Sequence, residues 1–358
     1  MPYSPLYTIQ HMDLQPVMED PLNFISPQKQ YIVFWWQQIP LGHLFVEDTQ
    51  PLNPEEAKKA IWTAILPAIA FYAKEQDMDI SGLEKLFYSE DIPGTLSRFR
   101  QLFSACPLQP ENDLPAVSLI ICTRNRAPLL RKCLLALQQL SYPPSEVIIV
   151  DNAPDDDSTR KLVALHPGVR YIKESRKGLD YARNRGIGAA SSPVIAFTDD
   201  DVELHPDWIW RMARVFKDPK VQALTGLIMA KEIDTKAQYY FEKYWSFNRG
   251  YRPIVYGPAF FKSQLKAGVP VWMIGAGAGM AFRRTLFDAI GTFDTRLDMG
   301  AAGCSGDSEI WYRVLAEGWN IRYDPLVIAY HTHRREKAAF KKQIYQYMRG
   351  FSAAVLIE

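Results

Sequence analysis

The apolar run "PVIAFT" (193–198) stops at three consecutive carboxylates, Asp199, Asp200 and Asp201. Three like charges side by side repel, and out of water each needs a cation or a proton. Carboxylate oxygens are hard donors. Their natural partner is a divalent ion, Mg²⁺ or Mn²⁺, that bridges one or two of them to a substrate phosphate. On spacing alone a solvated turn is as good a reading. The chain contains its own control, a second triplet in "NAPDDDSTRKL", residues 155–157. That copy precedes a helical pattern, where carboxylates cap free N–H groups and favour the positive end of the dipole. It reads as structural. The triplet at 199–201 follows a strand, and the next helical pattern begins only near Pro206.

Further candidates lie downstream. Asp307 opens the helical pattern "GDSEIWYRVLAEGW" after Gly303, Cys304, Ser305 and Gly306. It reads as an N-cap, as a carboxylate projecting into a cleft to act as general base, or as both. Glu309 either pairs with Arg313 one turn on or faces the same cleft. In "HTH", His331 and His333 alternate after the strand "LVIAY", so both fall on one face. They read as structural histidines or as metal ligands, His331 being preferred. "GAGAG" (275–279) lacks the strand, helix and later acidic residue of a dinucleotide fingerprint. Gly275, Ala276 and Gly277 are expected instead to let the backbone approach a ligand. "FEKYWSFNRGYRPIVYG" (241–257) reads either as a packed insertion or as an aromatic wall for an acceptor.

The elements that must position these groups follow a rhythm. "AVSLIICT" (116–123), "EVIIVDN" (146–152), "VRYIKES" (169–175) and "PVIAFT" are strand-like, with helical patterns between them. This alternation predicts an α/β fold, a mostly parallel sheet with helices on both faces. Ligands of such sheets bind at the carboxyl ends of the strands. Those ends gather Thr123, Arg124, Asp151, Asp199, Asp200 and Asp201 around one crevice. Residues 1–113 read as a separate α+β region of unknown role, and residues 114–335 as the main domain. In the first region, "YIVFWWQQIPLGHLFVED" (31–48) predicts a hairpin turning at Pro-Leu-Gly. Residues 53–73 predict a helix capped by Asn53 that ends or kinks at Pro67. Residues 336–358 predict a basic amphipathic helix, a solvated face or one that meets an anionic lipid surface.

Bulk properties exclude some classes. The formal net charge of the 358 residues is +1, so no global field calls for nucleic acid. The four cysteines form no CxxC pair or Cys/His cluster, which suits a reducing, cytoplasmic setting and argues against a zinc module. "MPYSPLYTIQHMDLQP" has no basic-then-apolar pattern of a signal peptide.

Taken in order, "VSLIICTRNRAPLLRKCLLAL", "YPPSEVIIVDNAPDDDS", "KGLDYARNRGI", "VIAFTDDDVELHPDW", "GAGAGMAFRRTLFDAIGTFD" and "GDSEIWYRVLAEGW" resemble the family 2 glycosyltransferases of GT-A fold. The resemblance covers roughly 116–335, and "YDPLVIAYHTH" continues it. It implies a metal-dependent, inverting transfer of a sugar from a nucleotide-diphosphate donor to a hydroxyl of a glycan, lipid-linked or other acceptor. Asp199 and Asp201 match the family's DxD motif. This implies Asp199 near the ribose and Asp201 on an Mn²⁺ or Mg²⁺ ion, with His331 or His333 completing the metal shell. Thr123, Arg124 and Asp151 fall where the family holds the base, and Lys177 and Arg183 lie in the segment that flanks it. Asp307 matches the catalytic base. Asp200, Gly275, Ala276, Gly277 and Glu309 border the donor and acceptor pocket on this reading. The rivals are a sugar-phosphate nucleotidylyltransferase, which would want a Gly-rich loop where "CTRNRAP" has none, and a non-catalytic sugar- or partner-binding module.

Overall fold

A computed structural model describes residues 5–19, 28–47, 53–298 and 302–357. The chain forms two compact units. The smaller comprises residues 1–110 with 232–240 and 250–252, and the larger comprises the remainder.

The smaller unit carries a three-stranded sheet of β1 (Thr8–Asp13), β2 (Gln30–Trp36) and β3 (Ile39–Val46), with α1 (Leu14–Glu19), α2 (Pro54–Glu75), α3 (Ile80–Tyr88) and α4 (Ile92–Leu102). The predicted hairpin is present, but it turns at Gln37–Gln38, with Gln37 at φ 53°. Pro40 lies within β3, opposite Trp35, where the register shifts and a missing N–H is tolerated. Asn53 caps α2 in a full capping box with Glu56. Pro67 neither ends nor divides α2, which runs on to Glu75. Proline inside a helix costs about 3 kcal/mol. Burial of Ile61, Trp62, Ile65, Ile69 and Tyr72 outweighs this, at roughly 1.5–3 kcal/mol per large apolar side chain.

The larger unit is built on β4 (Val117–Thr123), β5 (Glu146–Asn152), β6 (Val169–Glu174), β7 (Val194–Asp199), β8 (Val202–Leu204), β9 (Val221–Ala230), β10 (Ile254–Tyr256), β11 (Gly279–Arg283) and β12 (Asn320–His331). Its helices are α5 (Ala127–Leu137), α6 (Ser158–Val163), α7 (Leu179–Ala189), α8 (Trp208–Val215), α10 (Pro258–Gln264), α11 (Leu286–Ile290), α12 (Gly306–Ala316) and α13 (Lys337–Val355); α9 is Lys236–Tyr244. The strand order is β10-β12-β9-β11-β7-β4-β5-β6, with β8 paired to β12. Strands β7, β4, β5 and β6 are mutually parallel, as their uninterrupted apolar runs require. The parallel series does not continue to β9, because β11 enters antiparallel between β7 and β9. Helices cover both faces of the sheet.

Two features of this topology place the site. The chain leaves β4 to one side through β5 and returns on the other side as β7, which makes a topological switch point at the carboxyl ends of β4 and β7. The antiparallel pairing of β8 with β12 sets His331 opposite Val202, one residue beyond Asp201.

Candidate active site

Sheet register assembles the crevice. Thr123 stands beside Asp151, and Cys122 beside Asp199. The β5 end continues through Asn152, whose Oδ1 accepts the Gly178 N–H at 2.9 Å while its Nδ2 donates to the Arg176 carbonyl at 2.8 Å. Gly178, at φ 150°, then starts α7. The Asp298 carboxylate accepts the N–H groups of Leu179 and Asp180 at 2.7 and 2.8 Å, satisfying the orphan donors of that helix end.

The triplet finds its cation in Arg126, a residue not singled out in the sequence. Its guanidinium lies 2.7 Å from Asp200 Oδ1 and 2.5 Å from Asp201 Oδ2. Asp200 is buried and also accepts the Thr123 hydroxyl at 2.6 Å. Asp200 and Thr123 are thus satisfied by each other and by Arg126, and Thr123 turns toward the triplet. The signal was present as an arginine three positions past strand β4, but only the fold shows which carboxylates it reaches. Burial pushes Asp200 up to about 7 against the pull of Arg126. It raises Asp199 too, with the charge of Asp201 adding to the effect. Burial also works against the Asp201 carboxylate, yet it lies below its ordinary value: His331 lowers it only when protonated, whereas Arg126 and Arg334 do so at any pH.

The two histidines separate. His331 Nε2 faces Asp201 Oδ1 at 3.6 Å. His333 has both ring nitrogens engaged elsewhere, Nδ1 with His331 and Nε2 with Glu242. Geometry therefore offers His331, and not His333, to a metal beside Asp201. Burial drives His331 down to about 4, so at neutral pH its ring is uncharged, the form that ligates metals. No group of three His, Cys, Asp or Glu side chains with metal-ligand spacing occurs among the described residues. One carboxylate and one neutral imidazole nevertheless fit a divalent ion that takes its other ligands from phosphate and water.

Asp307 lies in the first turn of α12, as its sequence context predicts. Its Oδ2 accepts the Gly277 N–H at 2.9 Å and its Oδ1 the Ser308 N–H at 2.8 Å. Arg183 is buried beside it, paired with Asp180 at 3.0 Å and lying over the Phe293 ring. A Cβ on Gly277 would come within 2.7 Å of Arg183 Nη2 and 3.0 Å of Asp307 Oδ2, so only glycine lets the loop pass between them. Asp180, Arg183, Asp298, Cys304, Ser305 and Asp307 line one small cavity. Burial raises Asp180 to about 6, opposed by Arg183.

Other candidates are placed differently. Gly275 packs on the Thr225 side chain and Ala276 joins the apolar core, so in that run only Gly277 touches the site. Glu309 does not face Asp307. It forms the i,i+4 ion pair, partly buried, bound by Arg313 at 2.5 and 2.7 Å, and lines a separate cavity of about 410 Å³ with Asp294, Arg296 and Tyr312. Two residues along a helix turn the side chain by about 200°, which explains the divergence. In the control triplet Asp156 caps α6 through the Ser158 N–H, whereas Asp157 makes no cap bond and Asp155 binds Asn125 and Arg124. Arg124 also donates to the Ala153 carbonyl at 3.3 Å, and Lys177 is exposed. Asp151 is buried, which raises its carboxyl, while the Tyr171 hydroxyl, donating at 2.9 Å, and the Thr159 hydroxyl hold it down. From 241–257, Arg249 fastens a loop to the Trp272 carbonyl at 2.7 Å.

Arg126→Met removes the cation that two buried carboxylates share. It is expected to cost about 3 kcal/mol, the low end for a broken buried pair, because the Arg126 side chain keeps 31% exposure. Thermal melts with and without Mn²⁺ check this. Mn²⁺ should raise the midpoint more in the variant than in the wild type, and an equal rise in both would refute the counter-ion role.

The sequence pattern of glycosyl transferase family 2 matches residues 118–291. The glycosyltransferase AglE of Haloferax volcanii is 26% identical over 240 residues, 65% of this chain and 72% of that protein. The putative glycosyltransferase EpsH of Bacillus subtilis is 32% identical over 109 residues, 30% of this chain and 32% of that protein. Among solved structures, the mannosyltransferase PcManGT from Pyrobaculum calidifontis, in complex with GDP-Man and Mn²⁺, matches with a TM-score of 0.50 at 20% identity, over 80% of this chain and 74% of that one.

Proposed function

We propose that this protein, a glycosyltransferase of GT-A fold whose residues 118–291 belong to family 2, moves a sugar from a nucleotide-diphosphate donor to an acceptor hydroxyl with inversion at the anomeric carbon. The observation that carries the reading is the meeting of Asp201 and His331 at the switch point of a sheet beside which helices α12 and α7 bring in Asp307 and Arg183. The base of the nucleotide lies toward β5, where the Asp151 carboxylate is held by the Tyr171 and Thr159 hydroxyls. Asp199 borders the ribose.

Asp201 and His331 hold a divalent ion, Mn²⁺ or Mg²⁺, which when bound offsets the negative charge gathering on the diphosphate. A PcManGT structure containing Mn²⁺ supports that choice of cofactor class. Asp307 takes the proton of the attacking hydroxyl as the new C–O bond forms. The bond from the anomeric carbon to the diphosphate breaks, and its electron pair leaves on the phosphate oxygen. The Gly277 and Ser308 N–H groups hold the Asp307 carboxylate in one orientation, so little is lost in aiming it. The crevice also holds Asp180, Asp199, Asp200, Asp201, Asp298 and Asp307 against Arg126, Arg183 and the partly exposed Arg334, 4.0 Å from Asp201. That imbalance of charge favours a cation over a second carboxylate as the incoming group. The acceptor is a hydroxyl of a glycan or of a lipid-linked or other molecule.

The test is calorimetric titration of UDP, GDP, CDP and dTDP into the protein, each with Mn²⁺ and with EDTA. One nucleotide is expected to bind, and only with metal. No binding of any nucleotide under either condition would overturn the enzyme reading in favour of a binding module.

A further inference from the structure

Behind His331 runs a buried chain of side chains that no step above uses. His331 Nδ1 lies 2.9 Å from His333 Nδ1, and His333 Nε2 lies 3.0 Å from Glu242 Oε2. The three residues are 7%, 3% and 4% exposed, so none of these contacts is shared with bulk water. The Ser246 hydroxyl donates to the other Glu242 oxygen at 3.2 Å, and the Phe241 and Phe247 rings lie against the imidazoles.

The directions of these bonds follow from donor inventory. A carboxylate can only accept, so His333 Nε2 carries a proton. If His333 carries only that proton, its lone pair lies on Nδ1. Two Nδ1 atoms 2.9 Å apart need one N–H between them, and in that state His331 supplies it. His331 Nε2 is left with a bare lone pair, and that is the atom facing Asp201 Oδ1 at 3.6 Å. A lone pair aimed at a carboxylate repels it unless a cation lies between.

We propose that Glu242 and His333 are positioning residues that lock His331 in its Nδ1–H tautomer, so that Nε2 is presented as a ligand for the divalent cation held with Asp201. The inference rests on the metal-dependent reading above and adds to it the device that makes His331 a ligand. Carboxylate-to-imidazole contacts of this kind orient metal-bound histidines, and their loss typically weakens metal affinity about 10- to 100-fold.

Two measurements test it. The first is long-range ¹⁵N–¹H correlation of histidine-labelled, metal-free wild-type protein at neutral pH. His331 is expected to show the Nδ1–H pattern, and an Nε2–H pattern would overturn the proposal without any mutation. The second is Mn²⁺ titration followed by the free-ion electron paramagnetic resonance signal, with folding checked by circular dichroism. Glu242→Leu should raise the Mn²⁺ dissociation constant about 10- to 100-fold. Glu242→Gln, which keeps an acceptor oxygen, should restore most of the affinity. Unchanged affinity in folded Glu242→Leu, with Mn²⁺ bound by the wild type, would overturn the relay alone. Failure of the wild type to bind Mn²⁺ would overturn the metal reading and the relay with it.

Discussion

Asp307→Asn is expected to lower kcat about 10²- to 10⁴-fold, the usual worth of a positioned general base, while donor affinity stays within a few-fold of wild type. The split follows from where the residue sits. Asp307 is held by the Gly277 and Ser308 N–H groups at the start of α12, whereas the donor-side groups hang from the ends of β4, β5 and β7. An amide at position 307 keeps the size of the side chain and one acceptor oxygen. It cannot take a proton from a hydroxyl at neutral pH, and its NH₂ cannot accept from a backbone N–H. Some helix-capping stability is therefore lost as well, about 1 kcal/mol by analogy with other N-terminal caps. Single-turnover rates with the donor found by calorimetry, together with donor titration of the variant, check the prediction. A variant that turns over within tenfold of wild type would exclude Asp307 as the base.

Asp201→Asn is expected to act on donor and metal together. Turnover should fall about 10²- to 10³-fold, roughly 3–4 kcal/mol of transition-state stabilisation, by analogy with the loss of one preorganised charge-stabilising group. Metal-dependent donor binding should weaken in parallel, while in EDTA neither the variant nor the wild type is expected to bind donor. Asp201 is the member of the triplet that faces His331, and the asparagine removes the charge from that face. Asp200→Asn is the matched control. Its carboxylate is occupied by Arg126 and Thr123, so its loss should appear in thermal stability and leave Mn²⁺ affinity within a few-fold. Equal loss of metal affinity in the two variants would mean that the triplet acts as a diffuse charge and that Asp201 has no special place. The two predictions are separable: Asp307→Asn spares binding and Asp201→Asn does not.

Much of this site was legible before any coordinates. Continuous apolar runs announce parallel strands because both faces of such a strand are covered, and their order fixed where Thr123, Asp151 and Asp199 would meet. Asp307 at a helix start was readable from the glycine-rich lead-in, because helix initiation is a local event. Asn53 and Pro54 at the start of α2 were readable for the same reason. Local rules failed where distant burial overrode them. Pro67 reads as a residue that ends or kinks a helix, and α2 does not end there but runs on to Glu75 on the strength of its buried face. The hairpin was given its turn at Pro40–Gly42, but strand pairing chose Gln37–Gln38.

The linear chain by itself determined the α/β rhythm, the acidic strand end and the segment order that matches the family 2 pattern over residues 118–291, because these depend on periodicity and on the order of short segments. Only the tertiary structure decided which charges meet. Arg126 reaches Asp201 from 75 residues away, and Glu242 reaches His333 across 91. His331 comes to Asp201 because β8 pairs antiparallel with β12, and Glu309 turns from the cleft to Arg313 because α12 offers it a partner one turn on. Contacts of this kind are selected by the cost of leaving a buried charge unpaired. That cost exists only once the chain has closed and water has been removed, so no local pattern in the sequence records it.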